Sequence, residues 1–156
     1  IYTGGSAEVR GIDATTQHVL KVFPLIDQPK RFIVNIASDP ASKRLFVTDA
    51  EGGHELLVLD ADSGAILKTL PTGKGALEVK FNSVRNELYV TNRYGGTLSV
   101  IDATDYTVKH RIDLPTPPNS VVIDPNGQVL YVTIKEPFPE KGETPQDESV
   151  ARITLR

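Results

Sequence analysis

Residues 88–103 read LYVTNRYGGTLSVIDA. Two apolar runs, Leu88–Val90 and Leu98–Ile101, flank a polar segment that carries Gly95 and Gly96. β-Branched and aromatic residues on either side of a glycine-bearing loop predict a hairpin. The tetrad Asp102-Ala103-Thr104-Asp105 that follows has turn-prone composition.

The same words return on both sides of this segment. Ile1-Tyr2-Thr3, Leu45-Phe46-Val47-Thr48, Leu88-Tyr89-Val90-Thr91 and Leu130-Tyr131-Val132-Thr133 are variants of one phrase, with aromatics 44, 43 and 42 residues apart. A second phrase travels with it as Ile12-Asp13-Ala14-Thr15, Leu59-Asp60-Ala61-Asp62 and Ile101-Asp102-Ala103-Thr104. A third precedes the aromatic: Ala37-Ser38-Asp39-Pro40, Lys80-Phe81-Asn82-Ser83 and Val122-Ile123-Asp124-Pro125. Phrases in fixed order at one period mark a repeat architecture.

Each period holds four short strand candidates. In residues 76–113 they are Leu77–Phe81, Leu88–Thr91, Leu98–Ile101 and Thr107–Ile112. No apolar helical period runs ten residues without a breaker. Four strands in a repeat of about 40–45 residues predict a β-propeller blade. The nearly continuous apolar runs Leu56–Leu59 and Val121–Ile123 suit sheets covered on both faces.

The segments LYVTN, GTLSVIDA and PNSVVIDPNGQVLYVT resemble the YVTN-type β-propeller repeat. The order of the last three units resembles the C-terminal half of YncE-like periplasmic seven-bladed propellers, across essentially all 156 residues. The expected fold is therefore all-β, an arc of about three and a half four-stranded antiparallel blades from a seven-bladed ring. Expected repeat bounds are 1–26, 27–71, 72–114 and 115–156, with a long loop at 135–149. The first unit begins in its second strand, and the last is not followed by an outer strand. In the family that strand comes from the N-terminal part of the chain. The partner expected is thus the missing N-terminal half of the propeller, or a second copy of the chain.

Bulk composition fits a single globular domain: 156 residues, 39% hydrophobic, net charge −3. That charge argues against a chain built to coat nucleic acid everywhere. No apolar run approaches the roughly 18 residues of a membrane-spanning helix. Without cysteine, neither a disulfide framework nor a thiolate metal site is possible.

Asp13, Asp60 and Asp102 recur at one repeat position, as expected of side chains that cap a turn by accepting backbone N–H groups. Asp60-Ala61-Asp62-Ser63 begins like a calcium loop, but Ala65 and Pro71 stand where glycine and glutamate are required. His18, His54 and His110 fall in no ligand pair and read as surface residues. Gly73-Lys74-Gly75 is not a phosphate-binding loop, and Ser6 lacks the elbow of a serine hydrolase. No nucleophile–base constellation is found, so the residues favour binding over catalysis, with no metal and no cofactor expected.

Loops that emerge together on one propeller face are the better site candidates. Lys30, Arg31, Lys74, Arg93 and Lys135 are expected to ring the channel mouth, with Phe32 and Tyr94 interleaved and Asn92 and Asn119 beside them. Cations next to aromatic platforms suit single-stranded nucleic acid, since cations track phosphates and rings stack bases. The resemblance implies single-stranded DNA binding and a periplasmic location. The alternatives are a protein-interaction scaffold and the propeller portion of an oxidoreductase. The acidic, proline-rich loop 135–149, with Phe138 its one aromatic, reads as a solvated arm or a lid.

Overall fold

The computed structural model describes residues 1–5, 7–27, 30–135 and 147–155. Among them are fourteen strands and no helix. The strands form four antiparallel sheets in chain order. The first sheet is β1 (Tyr2–Gly5), β2 (Glu8–Ile12) and β3 (Val19–Pro24). The second is β4 (Ile33–Asp39), β5 (Arg44–Asp49), β6 (Glu55–Asp60) and β7 (Ile66–Pro71). The third is β8 (Ala76–Asn82), β9 (Glu87–Asn92), β10 (Thr97–Asp102) and β11 (Val108–Asp113). The last is β12 (Pro118–Ile123), β13 (Val129–Ile134) and β14 (Ser149–Thr154). The two middle blades have four strands each. Among the described residues the first blade has no inner strand and the last has no outer one, as the repeat phrases predict.

The alternation of side chains along each strand builds the interfaces between blades. Leu45 and Val47 of β5, with Leu57 and Leu59 opposite them on β6, pack with Val9 and Phe23 of the first blade. Phe46 on the same strand turns the other way, with Leu56 and Val58, to meet Val79, Leu88 and Val90 of the third blade. Tyr89, Leu98 and Val100 in turn meet Val121, Leu130 and Val132 of the last. A strand packed on both faces must be apolar at nearly every position, which explains why the runs are continuous rather than alternating.

Each inner strand carries a register shift against its neighbour, at Ile33/Asn35, Ala76/Val79 and Pro118/Val121. A bulge removes ladder partners and leaves backbone groups to be satisfied otherwise. The threonine of the aromatic phrase does this. Thr48 Oγ1 accepts from Asn35 N–H at 3.1 Å, and Thr91 Oγ1 from Glu78 N–H at 3.1 Å. Each hydroxyl then donates across to the next blade: Thr48 to the Leu77 carbonyl at 2.7 Å, Thr91 to the Asn119 carbonyl at 2.7 Å. One side chain thus closes a bulge and stitches two blades.

A polar network seals the opposite end of the interface between the third and last blades. The buried Tyr89 hydroxyl donates to Glu87 at 2.8 Å and accepts from Asn82 Nδ2 at 3.2 Å, while Asn82 also donates to the Gly127 carbonyl. Burial pushes the Tyr89 phenol up. Burial also pushes the Glu87 carboxyl up, but hydrogen bonds from Lys109, Tyr89 and Arg85 pull harder, and its folded pKa lies below the ordinary 4.5. A depressed carboxylate stabilises the fold above its unfolded pKa and loses that contribution as the pH falls through the folded value.

Two outcomes follow from these contacts. Thr91→Val keeps shape but strands the Glu78 N–H and the Asn119 carbonyl, and should cost about 1–3 kcal/mol in urea unfolding, with Thr91→Ser recovering most of the loss. Glu87→Gln should be less stable than the parent near pH 7, and the gap should narrow below about pH 4, read as the difference in urea midpoints across a pH series.

Candidate functional site

The turns that follow the Ile-Asp phrase behave as structural caps. Asp13 Oδ1 accepts from Thr15 and Thr16 N–H at 2.8 Å, Asp60 Oδ1 from Asp62 and Ser63 N–H at 3.1 and 2.8 Å, and Asp102 Oδ1 from Thr104 N–H at 2.8 Å. The N–H of Thr16 and then of Thr15 hold Asp13 below the usual carboxylate range, and that of Ser63 does the same for Asp60. These carboxylates are committed to the backbone.

On the opposite rim, loops of the second, third and last blades form one connected surface. Phe32 N–H donates to Asp49 Oδ1 at 3.0 Å, and the same oxygen accepts Gly52 N–H at 2.9 Å, which folds one loop over another. His54 carries this into the third blade, with Nδ1 2.7 Å from the Ala50 carbonyl and 3.2 Å from Gly75 N. From there Arg93 N–H donates to the Gly75 carbonyl at 2.8 Å, and Tyr94 N–H to the Lys74 carbonyl at 3.1 Å. The Arg93 guanidinium hydrogen-bonds the Asn119 side-chain carbonyl, reaching the last blade.

Within this surface the nine residues singled out from the sequence have unequal places. Lys30, Phe32, Lys74 and Tyr94 are exposed, Phe32 by 48% and Tyr94 by 67%. The Tyr94 ring lies against Gly75, where an added Cβ would come within 2.5 Å of it and where φ is +71°. Glycine at this position is therefore what lets the ring sit down on the adjoining loop. Arg93 and Asn119 are half-buried partners of one another. Lys135 pairs with Glu148 at 2.9 Å. The rest of the loop it opens, 136–146, lies outside the described residues, and with it the reading of that arm.

Arg31 and Asn92 correct the expectation. The Arg31 side chain is fully buried, with Nε and Nη2 on Asp27 at 2.8 and 2.5 Å, and Nη1 on Asp49 and Glu55 at 3.0 and 3.3 Å. The guanidinium and Asp27 stabilise each other's charged forms: the hydrogen bond lowers the Asp27 pKa and raises that of Arg31. A cation so placed cannot reach a ligand. Asn92 is also buried; its Nδ2 donates to Thr97 and Ser99 at 3.0 Å, and Gly73 backs onto its amide. His54 departs from its surface reading too, since its ring ties two loops together.

The sequence does not reveal the network around Arg31, because its parts are dispersed. Arg31 sits between Lys30 and Phe32 in a loop, the ordinary setting of a solvated cation, and two of its acids come from β5 and β6. One signal was present. Asp49 occupies the position of Asn92 in the next blade, and a carboxylate there calls for a cation that an amide does not.

No family model matches the chain. It is 38% identical over 154 residues to the uncharacterized protein YncE of Salmonella typhimurium, and 39% identical to that of Escherichia coli K12, covering 98% of this chain in each case. Its fold is similar to that of Kuenenia stuttgartiensis hydrazine synthase, with a TM-score of 0.79 over 95% of this chain and 40% of the other, at 22% identity. That likeness shows the propeller fold. By sequence the chain is homologous to YncE and spans 43% of its length.

Proposed function

We propose that this chain is part of a periplasmic binding module whose loop face takes an extended, negatively charged polymer, with single-stranded DNA as the ligand to test. The observation that carries the reading is Tyr94: its ring is 67% exposed, yet its backbone and ring are both fixed on the Lys74–Gly75 loop. An exposed ring held in place presents a stacking platform without the cost of ordering it, and base stacking on such a ring contributes about 1–3 kcal/mol. Lys74 and Arg93 flank it in the same loops, and Lys30 and Phe32 continue the pattern over the second blade. Arg31 belongs to the scaffold beneath.

A second reading, a protein-interaction surface, draws on the acids of the same rim. Asp27 and Glu55 share one guanidinium with Asp49, and Glu51 stands exposed beside them, so the rim carries both signs. A mixed-sign rim suits a protein partner, whereas a polyanion demands that cations dominate where it lies.

Anisotropy of a labelled oligothymidylate at several salt concentrations separates the two. If Lys30, Lys74 and Arg93 each meet a phosphate, the logarithm of the affinity should fall with the logarithm of salt with a slope of about −2. A flat response removes the nucleic-acid reading. Tyr94→Ala should weaken binding about 5- to 100-fold at unchanged unfolding midpoint. Arg31→Met should do the reverse, lowering stability by about 3–5 kcal/mol while leaving the salt slope as it is.

A further inference from the structure

One nitrogen on the loop face stands between two partners that make opposite demands of it. His54 ends the loop between β5 and β6, and its Nδ1 lies 2.7 Å from the Ala50 carbonyl and 3.2 Å from the Gly75 nitrogen. The carbonyl needs a hydrogen on Nδ1, whereas the Gly75 N–H needs the lone pair there. A neutral imidazole meets one demand in each tautomer and never both at once. Ala50 and Gly75 are both buried, and among the described residues neither group has another hydrogen-bond partner.

The backbone shows that the histidine is not there for the turn. At His54 it is left-handed, with φ +54°. The residue in the same place in the third blade, immediately before β10, is Gly96 with φ +62°. Both carbonyls accept the N–H that opens the next loop, His54 from Thr72 at 3.3 Å and Gly96 from Leu114 at 2.8 Å. Glycine adopts this conformation freely and histidine does so against strain. The second blade thus carries a strained side chain where the fold itself requires none.

What the ring holds is the seat of the exposed tyrosine. The Gly75 carbonyl accepts Arg93 N–H, the Lys74 carbonyl accepts Tyr94 N–H, and the Tyr94 ring rests on Gly75. His54 grips this loop twice, through Gly75 N–H and through its own carbonyl, which also accepts the Thr72 hydroxyl at 3.2 Å. The charged groups on the second blade's side are Arg31 with Asp27, Asp49 and Glu55, and exposed Lys30 and Glu51. On the third blade's side they are Lys74 and Arg93. Arg31 holds Asp49 and Glu55, and among the described residues no carboxylate pairs with the His54 ring. The two backbone groups therefore govern its hydrogen bonding.

We propose that His54 is a pH-dependent positioning residue for Tyr94. With the ring neutral, the tautomer that carries its hydrogen on Nε2 accepts Gly75 N–H and seats the loop beneath the tyrosine. A proton taken up from solvent at Nδ1 leaves the ring with donors only. Nδ1 then donates to the Ala50 carbonyl alone and Gly75 N–H loses its acceptor. The platform loosens as the pH falls through the range in which histidines titrate, about pH 8 to 5. As regulation of the loop-face site this rests on the binding function proposed above; the exchange of hydrogen bonds does not.

The tests use the whole chain. Nitrogen NMR of the His54 ring at about pH 8 should show Nδ1 bearing its hydrogen only part of the time. Protection of the Gly75 amide, corrected for the intrinsic pH dependence of exchange, should fall about two- to tenfold between about pH 8 and 5.5, the worth of one hydrogen bond. In His54→Gln, whose amide offers a carbonyl to Gly75 and an N–H to Ala50 at every pH, it should stay level. Affinity for labelled oligothymidylate should weaken about two- to tenfold over the same interval in the parent and hold steady in His54→Gln. The sign matters, because an added positive charge by itself would tighten binding to a polyanion. A fully protonated Nδ1 at about pH 8, level Gly75 protection in the parent, tighter binding on acidification, or an equal loss in His54→Gln each overturns the proposal. If the oligonucleotide binds at no pH, the loop-face reading fails, while the ring nitrogens and the Gly75 amide still decide the role of His54.

Discussion

A threonine hydroxyl at the rim end of each full interface sets the terms for the rest of the structure. A propeller must bring inner strands close together around an axis while each remains paired within its own sheet. The bulge that lets the inner strand turn leaves an N–H without a ladder partner, and a buried orphan of that kind is expensive. Thr48 and Thr91 accept that N–H and pass their own proton to the neighbouring blade's carbonyl. Apolar burial supplies most of the free energy between blades, but it is non-directional. The hydroxyls fix the relative height of adjacent blades, and so determine which loops meet on the rim.

The rim inherits its order from this. Because the second, third and last blades are held in register, the Gly75 loop can lie between His54 of one blade and Arg93 of its own, and Arg93 can reach Asn119 of the next. Arg31 belongs to the same frame. With three carboxylates on one buried guanidinium, it works as a rivet beneath the loops. The residues left facing outward are those whose backbones are tied and whose side chains keep a face to solvent, Tyr94 foremost.

Most of the fold was legible in the sequence because it is written three times. The strands read from 76–113 fall within one or two residues of β8, β9, β10 and β11, and the unequal ends follow from which phrase comes first and which last. The turn role of the aspartates was legible for the same reason, since a residue repeated at one position in three blades serves the blade. The site was less so. Arg31, Asn92 and Lys74 occupy repeat positions whose residue changes from blade to blade, where the outcome depends on partners from other strands. Arg31 is buried because Asp49 lies beneath it; Lys74, its counterpart, stays out in solvent above Asn92. The threonine was visible as a letter of the phrase, but its double role required the bulge, which periodicity does not reveal.

The first interface shows what happens when the stitch is omitted. Gly4 stands where the other blades have threonine, and Ile33 fills the vacated space so closely that a Cβ on Gly4 would lie 2.6 Å from its Cγ2. Here the rim end of the interface is closed by apolar contact, and the polar tie moves to the far end. Tyr2 OH and Lys21 Nζ both donate to the Ala61 carbonyl, at 3.4 and 3.1 Å, and Lys21 also pairs with Asp62. Those donors are surface-accessible and their ion pair is screened, so they hold less firmly than a buried hydroxyl. Burial of Val9, Phe23 and Leu25 therefore carries the first blade.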